Sequence, residues 1–120
     1  MIKRLIQKSA SSLFLSHNVR KIHTEEIHNI GSNAYDWFLT RDANYKDMKA
    51  VRNILDKQKW AKVEELADLD CTYTDYKKGD VIIELHSNNY VGISLTATGN
   101  GSKESLESIK AEIEKLNIKV

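Results

Sequence analysis

Two short runs of alternating residues constrain this 120-residue chain more than any other feature. In Val81–His86 the apolar Val81, Ile83 and Leu85 fall on one side, and Ile82, Glu84 and His86 on the other. In Tyr90–Thr96, Val91, Ile93 and Leu95 face one way, with Tyr90, Gly92, Ser94 and Thr96 opposite. A period of two is that of a half-buried strand; on a helix it would scatter the apolar side chains around the axis. Between the runs lies Ser87-Asn88-Asn89, and Asn tolerates the positive φ that tight hairpin turns need. Upstream, CTYTDY (residues 71–76) is rich in strand-forming Thr and Tyr and reaches the hairpin through Lys77-Lys78-Gly79-Asp80. The three segments read as an antiparallel meander with one apolar face.

That face needs a cover. After Gly99-Asn100-Gly101, Ser102 is a good N-cap and Glu104 adds a favourable charge to the first turn. Leu106, Ile109, Ile113 and Leu116 then form a stripe at three- and four-residue steps. On the other side of the meander, Ser32 or Asn33 can cap a short helix carrying Tyr35, Trp37, Phe38 and Leu39. Asp42 caps a second helix, from about Asn44 to Lys57, with Met48, Val51, Ile54 and Leu55 as its stripe. In residues 59–69, Trp60, Val63, Leu66 and Ala67 have helical spacing, so this segment reads as a continuing or broken helix. The expected fold class is α+β: helices followed by a three-stranded antiparallel meander packed against a C-terminal helix. The chain has no proline, so Gly, Asn, Asp and Ser must make its turns.

The first 24 residues differ in kind. They hold Lys3, Arg4, Lys8, Arg20 and Lys21 and no Asp or Glu. Ile2, Leu5, Ile6, Ala10 and Leu13 gather on one side of a helix, with serines interleaved. This segment resembles a mitochondrial transit peptide. A membrane potential negative inside draws each such charge by about 2.3 kcal/mol per 100 mV, which is why acids are avoided there. By the same resemblance Arg20 marks a processing cut after Lys21 or Ile22. A plastid transit peptide has similar composition. The expected organisation is a cleaved leader over 1–22, a linker over 23–32 and one small domain over 33–120.

Without the leader segment, 13 basic residues face 17 acidic ones, a formal charge of −4. An acidic domain argues against nucleic-acid binding, which relies on clustered Lys and Arg. No apolar run approaches the 18–20 residues of a membrane-spanning helix. A single cysteine, Cys71, forbids an internal disulfide and a Cys-based zinc site.

Candidate sites are sparse. Glu84 and His86 are two apart on the polar side of a strand, where a carboxylate orienting an imidazole could support acid–base chemistry, with Tyr90, Ser94 or Thr96 across from them; such pairs are very common on the solvent side of hairpins, and a cross-strand polar face is their ordinary explanation. The TGNGS loop lacks the third glycine of a dinucleotide-binding turn and the Walker lysine. In HTEEIH (residues 23–28) the histidines are five apart, the wrong spacing for a shared metal. Cys71 reads as a small buried hydrophobe. Tyr35, Trp37 and Phe38 are the densest aromatic cluster and, if exposed, the natural interface anchors. No cofactor or metal site is expected. The sequence therefore favours a mitochondrial matrix protein acting by association, an accessory subunit of an assembly such as a respiratory complex or the ATP synthase. The alternatives are a small acid–base enzyme using Glu84 and His86, and a mitoribosomal RNA-binding protein.

Overall fold

The computed structural model describes residues 25–40 and 45–118. The leader residues Lys3, Arg4, Lys8, Arg20 and Lys21, and the cap expected at Asp42, lie outside them. The described elements are β1 (Ile27–Gly31), β2 (Ala34–Thr40), α1 (Tyr45–Lys57), β3 (Ala61–Ala67), β4 (Cys71–Lys78), β5 (Val81–Asn88), β6 (Gly92–Thr98) and α2 (Ser102–Ile118). The strands make one six-stranded sheet in the order β1-β2-β6-β5-β4-β3, every neighbouring pair antiparallel. The chain leaves the sheet after β2, passes through α1, re-enters at the far edge and meanders back until β6 pairs with β2.

This corrects the expected fold: the sheet has six strands, not three, and two of them precede the first helix. The segment expected as linker and short helix is the β1–β2 hairpin, turning through Ser32 and Asn33, whose φ is 50°. Tyr35, Trp37 and Leu39 alternate with Asp36 and Phe38, and β2 is held by pairing with β6, where Trp37 lies opposite Leu95 and Tyr35 opposite Ala97. The pattern is two-fold, but Phe38 on the second face blurs it, and the pairing that decides the matter spans about 60 residues of chain. The segment 59–69 is a strand, β3, not a helix. Every residue of β3 is exposed, and a bulge between Lys62 and Glu64 breaks its alternation. A strand with no buried face leaves no period in the sequence.

Elsewhere the elements sit near their expected places. The apolar run of β6 is shifted outward: Ile93, Leu95 and Ala97 point inward, while Val91 falls in the turn. That turn is held by Asn88, whose Oδ1 accepts the N–H groups of Tyr90 at 2.7 Å and Val91 at 3.2 Å. Helix α1 buries Met48, Val51, Ile54 and Leu55, and α2 buries Leu106, Ile109 and Ile113; Leu116 is more open. These side chains meet Trp37, Leu39, Tyr76, Val81, Ile83, Leu85, Ile93, Leu95 and Ala97 in one core. At roughly 1.5–3 kcal/mol for each large apolar side chain fully buried, this layer between helices and sheet is the main source of stability.

Two connections fix the helices. Helix α1 ends in a Schellman arrangement: Trp60 N–H donates to Leu55 O and Lys59 N–H to Asp56 O, both at 3.0 Å. Lys59 takes the left-handed position at φ 70°, and buried Trp60 and Leu55 provide the apolar contact that accompanies the motif. Before α2, Gly99 has φ 109°, and a Cβ there would lie 2.1 Å from Asp80 O, so only glycine fits. Ser102 is buried, and its hydroxyl donates to Asn33 O at 3.2 Å, tying the start of α2 to the β1–β2 turn.

Candidate functional site: the uncovered sheet face

Both helices contribute to the core on one face of the sheet, and α1 is also tied there by polar contacts. Arg52 donates through Nη1 to Tyr76 Oη and through Nη2 to Thr74 Oγ1, each at 3.0 Å. It also pairs with Glu65 Oε1 at 3.3 Å, which receives Lys62 Nζ at 3.1 Å and the Thr74 hydroxyl at 3.2 Å. This network anchors α1 to β3 and β4. The Glu65 carboxyl is held below its usual value, chiefly by the hydrogen bond from Lys62 and then by those of Thr74 and the charge of Arg52, against a counteracting desolvation.

The opposite face carries no described element. Strand register arranges its side chains in rows that run across the strands. One row is Phe38, Ser94, His86, Tyr73 and Leu66, from β2 through β6, β5 and β4 to β3. The next is His28, Asp36, Thr96, Glu84, Asp75 and Glu64, reaching from β1 to β3. On the far side of the first row's neighbour, Thr98, Ile82 and Lys77 form a third. Three carboxylates, Glu64, Asp75 and Glu84, thus stand abreast on adjacent strands. Within the first row Tyr73 stacks flat on His86, with ring centroids 4.3 Å apart and an interplanar angle of 4°. Asp36 is engaged by Thr96, whose hydroxyl donates to Oδ1 at 3.0 Å.

Apolar surface is left on this face and at its end. Ile82 is 43% exposed, Tyr73 38% and Leu66 62%. Beside Leu66 and Tyr73, the β3–β4 loop and β5–β6 turn are joined by Asn89 N–H donating to Asp70 O at 2.9 Å. These carry Leu69 and Tyr90, 96% and 77% exposed.

The candidate residues from the sequence distribute as follows. Glu84 and His86 are on the uncovered face, opposite Thr96 and Ser94. His86 Nε2 is buried and has no hydrogen-bond partner among the described residues, so none of their carboxylates orients the ring through that atom. Tyr90 lies in the turn rather than across from the pair. Trp37 is fully buried, and its Nε1–H donates to Glu25 O at 2.9 Å; Tyr35 packs at the core margin. Of that aromatic cluster only Phe38 belongs to the uncovered face, half-buried. His28 is exposed on β1, and His23 lies outside the described residues. Among the described residues no three metal-ligating side chains come together.

Cys71 begins β4, with its N–H and thiol directed at Asp68 Oδ1, 3.2 and 3.4 Å away. Desolvation first, and then the Asp68 carboxylate, push the thiol up from its usual range, which disfavours the nucleophilic thiolate. Gly99 and Ser102 of the TGNGS loop spend their polar groups on Asn33 O, at 2.9 and 3.2 Å. Sequence reading missed Tyr73, Asp75, Asp36 and Glu64 as neighbours of Glu84 and His86. The alternation of CTYTDY carries Tyr73 and Asp75 onto one face; nothing local carries Asp36 or Glu64 there.

No family model matches the chain, and neither the curated proteins nor the solved structures contain a significant match to it. Among the described residues no helix is long and apolar enough to cross a membrane.

Proposed function

We propose that this protein acts by association, as an accessory subunit of a larger mitochondrial assembly such as a respiratory complex or the ATP synthase. The observation that supports it is the one-sided cover of the sheet among the described residues: α1 and α2 share one face, and Phe38, Tyr73, Leu66 and Ile82 lie on the other. Apolar side chains of this kind, ringed by polar ones, are what partner surfaces present. The acid-free, five-cation segment ahead of Glu25 supports the mitochondrial address.

The test is native electrophoresis of organelles expressing a C-terminally tagged chain, with mass spectrometry of the tagged band. The expected result is co-migration with a large assembly, lost when Ile82→Lys and Tyr73→Glu are combined in a chain that still unfolds cooperatively. A tagged chain that migrates alone at its own mass rejects the proposal.

A further inference from the structure

We infer that the uncovered face docks a cationic amphipathic segment of a partner protein, laid across the strands with its apolar stripe on the Phe38–Leu66 row and its Lys or Arg side chains over the acidic row. The inference rests on the association reading above and names the chemistry of the occupant. Two rows side by side carry it. Phe38, Ser94, His86, Tyr73 and Leu66 give a row across five strands, apolar at Phe38, Tyr73 and Leu66 with the flat His86 ring stacked between, about 19 Å at the usual strand spacing. That is the length of a helix of about 13 residues. Parallel to it, two residues further along each strand, run Asp36, Glu84, Asp75 and Glu64.

Charge selects among occupants. Glu64, Asp75 and Glu84 are directly cross-strand like charges, an arrangement that costs stability in the free protein and is relieved by cations laid between them. Lys62 cannot relieve it, because it pairs with Glu65 on the helix-covered face. Lys77 lies in the adjacent row, directly opposite Ile82 rather than a carboxylate. A second copy of the chain would bring the same carboxylates against its own, and an anionic membrane surface would be repelled. A segment with an apolar stripe and flanking Lys or Arg satisfies both rows, and its binding weakens with salt as surface ion pairs do.

The experiment uses the full chain and a fluorescent Leu/Lys peptide of about 14 residues, amphipathic as a helix, with its Leu/Glu counterpart as control. The expected result is saturable binding of the Leu/Lys peptide alone, with amide shifts on β4, β5 and β6. The pair Asp75→Lys and Glu84→Lys should weaken it tenfold or more. The charge-matched pair Glu107→Lys and Glu114→Lys, on exposed positions of α2, should leave it within twofold. Because Asp75→Lys with Glu84→Lys exchanges one cross-strand like-charge contact for another and turns the contact with Glu64 attractive, the double variant should melt close to the parent, which separates lost docking from lost folding. Equal weakening by both pairs, shifts confined to α1 and α2, tighter binding to anionic vesicles, or a dimer that buries this face would each overturn the inference. If the peptide binds as expected while the tagged chain migrates alone, the docking chemistry stands and the subunit reading falls. If the chain sits in an assembly that survives Asp75→Lys and Glu84→Lys, the reverse holds.

Discussion

Lys59 occupies a left-handed backbone position, φ 70°, that glycine usually takes at the end of a helix. A side chain there costs about 1 kcal/mol, which the Schellman bonds to Leu55 and Asp56 offset. Lys59→Gly should therefore raise stability by roughly 0.5–1 kcal/mol, read as a higher denaturant midpoint at unchanged slope. Other single residues show how a local pattern is overruled. The string Tyr35–Leu39 supports a short capped helix or a strand, and only the partner strand β6, far along the chain, decides for the strand. Glu84 and His86 were legible as neighbours on one face. The stacking of Tyr73 on His86 was not, because register between β4 and β5 depends on the tertiary fold.

Legibility follows burial among the elements. Helix α2 and strands β5 and β6 bury one face each, so their periods survive in the sequence. Strand β3 buries none, and its charged residues with the bulge at Val63 are the devices by which an edge strand resists pairing with strangers. Beyond its backbone ladder with β4, its side-chain attachment is electrostatic. Glu65 is held by Lys62, Thr74 and Arg52, and Asp68 by the N–H groups of Asp70 and Cys71; both carboxyls lie below their usual values. Carboxyls lowered in this way contribute stability that is fully present above the ordinary carboxylate range and is lost as pH falls through the folded values. The β3–β4 hairpin should thus loosen first on acidification, below about pH 4. Amide resonances of residues 61–78 should broaden or shift before those of β5, β6 and α2; a single simultaneous transition would refute this order.

Across the whole molecule, α2 is the lid of the core. Its Leu106, Ile109 and Ile113 are completely buried against β2, β5 and β6, whose buried inward side chains, Trp37, Leu39, Val81, Ile83, Leu85, Ile93, Leu95 and Ala97, are all apolar. A chain ending at Thr98 should lose cooperative unfolding and bind a hydrophobic dye, while one ending at Leu116 should keep both properties of the parent. The global arrangement was the least legible level of all. A six-strand order in which the second strand meets the last is a fact about pairing partners, and no local spacing encodes partners.

That same closure sets a schedule for the chain's birth. The β1–β2 hairpin is made first, yet the strand that holds it, Gly92–Thr98, is made almost last. Until then Trp37 and Leu39 have nowhere to go, and the intervening residues must loop out before the two ends of the sheet can meet. During synthesis the molecule is a sticky hairpin awaiting its final strand. A protein built this way is vulnerable to aggregation in that interval rather than in the finished fold.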